Sequence, residues 1–126
     1  VCLHFYRGEG YDRSFIENLN SVIKMAELGE ITVAEGADDV CACCPYLRNR
    51  KCMYTEDAEE EIKKMDKVAL ELLGTEVGEK VKWNQLRKTL PEMFSKWAAL
   101  YCSDCHWREA CLKSPFYKDL IREALC

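Results

Sequence analysis

Residues 55–74 read TEDAEEEIKKMDKVALELLG, and their period decides the fold class. Ile62, Met65, Val68, Ala69 and Leu72 recur at three- and four-residue steps, the spacing that lines up one face of an α-helix. Such a stripe is a packing face. The acidic run over 56–61 suits the positive end of the helix dipole, Thr55 is placed to cap it, and Gly74 is a natural stop. Upstream, Ser14 and Glu17 have the spacing of a capping box, and Phe15, Leu19, Val22, Ile23 and Ala26 form one apolar face before Gly29. Residues 31–34 read as a short strand, and 1–13 as an irregular segment punctuated by Gly8 and Gly10. Downstream, 81–83 read as extended and 84–90 as a helical turn. Pro91 then opens a further helix that buries Phe94, Trp97, Ala98 and Tyr101. Ser114 caps a last helix begun by Pro115, with Phe116, Leu120, Ile121 and Ala124 inward. The expected architecture is mainly α: one domain over 1–126, four to five helices, cysteine-rich loops and at most a minimal β element.

Composition narrows the function. The chain has 126 residues, 48% hydrophobic and 32% charged, which suits one modest core. No apolar run approaches the ~20 residues of a membrane span, so no membrane is expected. The text begins at Val1, not Met, which leaves room for a processed upstream segment. A formal net charge of −4 makes a poor nucleic-acid binder, and none is expected. The one local basic patch is Arg48, Arg50 and Lys51 beside Cys52. It reads as a solvated loop or as cations that offset thiolate charge and steer an acidic partner.

Nine cysteines are the informative feature. Cys41, Cys44 and Cys52 form C-x2-C-x7-C, and Cys102, Cys105 and Cys111 form C-x2-C-x5-C. Both groups share one grammar, a C-x-x-C pair and then a third cysteine. Two intervening residues let both sulfurs turn toward one point while backbone amides bond to them. Thiolates are soft ligands, and four-sulfur tetrahedral sites select zinc or iron–sulfur clusters. Each triplet supplies three ligands where a closed site needs four. Cys2 is the first choice for one missing ligand; Cys126, Cys43, His106, His4 or an open position remain for the other. The two C-x-x-C pairs could instead share one cross-braced site.

Disulfides fit less well. The odd count leaves a thiol over, and C-x-x-C pairs are typical of metal or redox sites. A thioredoxin-like site does not fit either, because Pro45 follows the first pair and no βαβ alternation surrounds it. Asp38 and Asp39 read as turn formers ahead of the first cysteines, and Glu59, Glu60 and Glu61 as a solvated helical face. His106 reads as a loop residue or a proton donor beside a cluster, and Trp107 as a shield for sulfur. No phosphate loop, dinucleotide fingerprint or G-x-S-x-G occurs.

Taken together, the segment from Cys2 to Tyr11, the run Asp38-Asp39-Val40-Cys41 with Cys44-Pro45, and Cys102, Cys105, Trp107 and Cys111 resemble the prokaryotic family called domain of unknown function 1284. Its members are described as candidate iron–sulfur-binding proteins. The resemblance implies that Cys2, Cys41, Cys44, Cys52, Cys102, Cys105 and Cys111 are the family cysteines, with Cys43 and Cys126 as extras. It carries no reaction over.

The expectation is therefore an iron–sulfur protein with one or two clusters, 4Fe–4S first, held by those seven cysteines and serving electron transfer with a redox partner protein. Two rivals stand beside it: an enzyme using a cluster with an open iron, and a structural zinc module for protein contacts. A cytoplasmic location follows from the need of cluster thiolates for reducing conditions.

Overall fold

The computed structural model describes residues 1–8 and 12–125. Its long helices are α1 (Arg13–Leu28), α2 (Ala58–Leu73), α3 (Trp83–Tyr101) and α5 (Pro115–Leu125), with a single turn, α4 (Arg108–Cys111), between the last two. The strands are short. β1 (Glu30–Thr32) pairs antiparallel with β4 (Lys80–Lys82), and β2 (Leu47–Arg48) with β3 (Lys51–Cys52). The fold is mainly α, as expected. Among the described residues no helix is long and apolar enough to cross a membrane.

α3 is the central element. α5, α2 and α1 all pack on it, and β4 leads directly into it. Its stripe Leu90, Met93, Phe94 and Trp97 is buried and meets Tyr117 and Leu120 of α5. Met65, Ala69, Leu72 and Leu73 of α2 close the other side. Pro91 lies inside this helix rather than at its start, which corrects the expectation of a break at 91. Proline costs ~3 kcal/mol in a helix interior, chiefly a lost hydrogen bond to the carbonyl four residues back. Here Pro91 is exposed, so water can reach the freed carbonyl. The buried residues on either side of it face one core, and burying each large apolar side chain contributes ~1.5–3 kcal/mol. The packing outweighs the proline.

The α1 cap also differs. Asp12, not Ser14, accepts the Phe15 amide at 2.8 Å, which starts the helix two residues earlier than the capping box implies. α2 begins at Ala58, with no side-chain cap on it, so Thr55 lies in the turn before it. Ser114 does cap α5, accepting the Tyr117 amide at 3.4 Å. Gly74 ends α2 in the left-handed region (φ 69, ψ 35) and returns its amide to Leu70 and Glu71 carbonyls. Nothing lies within 4 Å of a Cβ built there, so Gly74→Ala isolates the backbone cost. We expect a loss of ~1 kcal/mol in denaturant unfolding, with the cysteine sites unaffected.

The start of the chain is ordered where the sequence suggested an irregular segment. Cys2–Phe5 forms a 3-10 turn whose last residue, Phe5, is 3% exposed. Its ring packs edge-on against Phe94 at 5.6 Å and Tyr117 at 5.2 Å, and Phe94 meets Tyr117 at 5.5 Å. Residues three apart eclipse in a 3-10 turn, so anchoring Phe5 in this aromatic trio sets Cys2 above the same core. Gly10, read as punctuation of this segment, lies outside the described residues.

Candidate metal centres

The second cysteine group grows from the end of α3. Its first cysteine, Cys102, follows the helix, its amide bonding back to Ala98. A turn then closes with the Cys105 amide on the Cys102 carbonyl at 3.4 Å, and α4 raises Cys111, whose amide bonds to Trp107. Cys102 and Cys111 pack against the core that includes Phe5, Trp97 and Tyr117. Cys2 arrives over that core through Phe5. As a result the thiols of Cys2, Cys102, Cys105 and Cys111 act on one another electrostatically in every pairing. Burial is the first cause that raises Cys2, Cys102 and Cys111, and mutual repulsion of the thiolates adds to it; Cys111 reaches about 11. The surface of Cys2 is exposed by area, yet enough protein surrounds its sulfur to disfavour the charge.

Two buried donors face this group. The Trp97 indole lies beside Cys2, where its N–H favours the charged thiolate. Tyr117, 1% exposed, sits against Cys102, and burial followed by the Cys102 neighbour raises its hydroxyl to about 12. That hydroxyl still lacks a partner at hydrogen-bonding geometry. An unpaired buried hydroxyl costs ~1–3 kcal/mol, and Cys102 is the polar group beside it. Trp97 read as core in the sequence, and Tyr117 was not singled out. The available signal was a polar tip on an otherwise apolar helical face beside a cysteine loop.

The first group is a loop and a hairpin. Asp38 accepts the Cys41 amide on its carbonyl and the Val40 amide on Oδ1, each at 3.0 Å. The Cys44 amide returns to Cys41 at 2.9 Å, so the C-x-x-C pair makes one tight turn. Asn49 and Arg50, both at positive φ (49 and 63), reverse the chain between β2 and β3, as a two-residue hairpin turn requires. The register Leu47↔Cys52 then returns the third cysteine to the loop. Cys41 is raised by burial first; the Asp38 carboxylate and the Cys44 and Cys52 thiols add to this, while an Asp38 backbone hydrogen bond opposes it. Glu59, expected on a solvated face, is half-buried and accepts the Cys52 amide at 2.7 Å. Asp66 is raised by burial and then by Asp38 and Glu59, so carboxylates crowd this group.

The electrostatic partners of Cys41 all lie in the first group and those of Cys102 and Cys111 in the second or beside it. By these partners the thiols fall into a trio, Cys41, Cys44 and Cys52, and a quartet, Cys2, Cys102, Cys105 and Cys111. The groups are neighbours nonetheless: one cavity of about 300 Å³ is lined by Cys44 and Pro45 on one side and Trp107 on another. The eight described cysteines are free thiols. Cys43 and His106 are exposed, and Cys126 lies outside the described residues. His4 stacks on Trp83 at 3.9 Å; burial, then the amino terminus and Arg87, lowers it to about 3, and it is not among the groups acting on Cys2. In the basic patch, Arg48 clamps the loop, donating to the Pro45 and Leu47 carbonyls at 2.8 Å each.

Among the described residues no three His, Cys, Asp or Glu side chains gather tightly enough to hold one metal ion.

Residues 10–111 match the family described as Protein of unknown function (DUF1284). The chain belongs to this family. The DUF1284 match contains Cys41, Cys44, Cys52, Cys102, Cys105 and Cys111 and leaves Cys2 outside it. No curated protein and no solved structure matches the chain. DUF1284 membership and this cysteine set are compatible with a metal-binding role.

Proposed function

We propose that the protein binds two iron–sulfur clusters, of the 4Fe–4S type, and carries electrons. The C-terminal centre would be held by Cys2, Cys102, Cys105 and Cys111, and the N-terminal one by Cys41, Cys44 and Cys52. The observation that carries the reading is the packing of Cys102 and Cys111 on the core beside buried Trp97 and Tyr117, over which Phe5 also brings Cys2. Soft donors in fours suit iron–sulfur clusters.

When bound, the clusters supply one-electron exchange. The chain's own residues hold them, limit water and set their charge balance. Trp97 and Tyr117 place buried N–H and O–H dipoles on the sulfurs, which favours extra negative charge there. The cavity between Cys44 and Trp107 brings the two loops together, as passage of an electron between centres needs. A reducing compartment such as the cytoplasm suits the free thiols, and a redox partner protein would exchange electrons with the exposed cysteine loops.

The test is reversible reduction. Anaerobically prepared protein should show broad visible absorption that dithionite bleaches and air restores, with spin-resonance signals in the reduced state. Redox-inert, colourless protein would refute the proposal. Tyr117→Phe sharpens it. Losing a hydrogen bond worth ~1 kcal/mol should lower the potential of one centre by about 40 mV for a one-electron couple and leave the other unmoved. Trp97→Phe should act in the same direction through Cys2.

A further inference from the structure

The cavity between the two cysteine loops is walled by rings. Phe15, Tyr46, Tyr54 and Trp107 line it, together with Asp12 and Cys44. The β2–β3 hairpin builds one side. Its ladder runs a rung beyond the strands, the Met53 amide donating to the Tyr46 carbonyl at 2.9 Å, and this sets Tyr54 against Tyr46. The two rings meet edge to face, with centroids 5.0 Å apart and planes at 88°, and so form a right-angled corner. Phe15 comes from the first turn of α1 and Trp107 from the residue ahead of α4. Tyr46 and Tyr54 are 47% and 44% exposed, so the corner is reachable from solvent.

Among the described residues no Lys, Arg or His belongs to this lining, and its one charged side chain is the acid Asp12. Asp12 caps α1, its Oδ1 accepting the Phe15 amide at 2.8 Å. The cations nearby in the chain are engaged elsewhere. Arg13 pairs with Glu17 at 3.1 Å, and Arg48 donates to the Pro45 and Leu47 carbonyls. Aromatic faces and a carboxylate both attract positive charge, whereas an anion meets no cation here. A primary ammonium brings three N–H donors, each in need of an acceptor, and Asp12 already serves an amide. A quaternary ammonium brings no donor, so ring faces satisfy it. The volume of about 300 Å³ suits a head group with a short tail.

We propose that this cavity is an aromatic cage for a small quaternary ammonium compound, a choline-sized cation with a trimethylammonium head. The proposal goes beyond the electron-carrier reading and requires neither centre to be filled. Titration calorimetry on the full chain, isolated without oxygen, compares choline, tetramethylammonium and the neutral isostere of choline in which a tert-butyl group replaces the trimethylammonium. Both cations should bind saturably, and the isostere should bind about fivefold more weakly than choline or worse. Asp12→Asn keeps the helix cap, since Asn and Asp cap about equally well, and should weaken choline about fivefold. Tyr54→Leu keeps apolar bulk but removes a ring face, and should weaken choline by about two- to thirtyfold, while Tyr54→Phe should match the wild type. Tyr46→Leu repeats the test at the other ring, so a folding defect at one position does not decide it. Failure of both cations to saturate, an isostere that binds as tightly as choline, or leucine variants with unchanged affinity would each overturn the proposal. None of these outcomes depends on iron content, so the cluster reading stands or falls separately.

Discussion

Replacing Cys111 by serine should strip the C-terminal centre, removing about half of the iron and sulfide bound by a two-centre protein and leaving the N-terminal signal intact. Cys2→Ser should do the same, although Cys2 enters from the other end of the chain. The reason is that Cys2 reaches this group through tertiary packing: Phe5 sits among Phe94 and Tyr117, and the Cys2 thiol couples to Cys102, Cys105 and Cys111. The effect on stability should be large as well. Burial raises these thiols, so in the free protein they keep their protons; a bound cation releases those protons and ties the first turn of the chain to the α3–α5 region. Binding free energy of this kind is folding free energy, several kcal/mol at least. Iron content and unfolding temperature of the two variants, measured anaerobically beside the wild type, check the prediction. Variants that keep full iron, or that lose the N-terminal signal instead, would contradict the assignment.

The second large effect concerns the core. Phe94→Ala should cost ~3–5 kcal/mol, the range for deleting a buried aromatic ring. Phe94 is 1% exposed and touches both other members of the aromatic trio, so little can collapse into the space. A small domain holds only ~5–15 kcal/mol in total, and the variant should unfold at markedly lower denaturant concentration. It should also weaken the C-terminal centre selectively, because Phe5 and Tyr117 both lean on Phe94 while the β2–β3 hairpin and Asp38 turn do not. Denaturant midpoints and the iron retained per centre test the two halves of this expectation. An Ile62→Ala control, at a 41% exposed position of α2, should change little.

The helical class was readable because its signals are local. The Met65–Leu72 part of the stripe, Gly74 and the Ser114–Pro115 start act within a turn or two of themselves, and the structure keeps them, whereas Ile62 at the head of the stripe is exposed because α2 meets the core only further along. Pro91 misled for the same reason. A local breaker argues for a helix start, whereas the continuous buried stripe of Leu90, Met93, Phe94 and Trp97 is a tertiary fact that overrides it. The C-x-x-C turns were legible from spacing alone. The sorting of the thiols was not, since it depends on Phe5 drawing Cys2 to Cys102 and on the Asn49–Arg50 reversal drawing Cys52 to Cys41. Tyr117, Trp97 and Glu59 were not legible as neighbours of the cysteines, because an aromatic on a helical face, or an acid in a charge run, has an ordinary meaning until a cysteine is placed beside it.

The decisive measurement is the content of iron, acid-labile sulfide and zinc per chain in protein isolated without oxygen. The proposal requires iron and sulfide in nearly equal amounts, enough for two clusters, with zinc at trace level. Stoichiometric zinc, or sulfurs found joined to one another with no iron present, would contradict it.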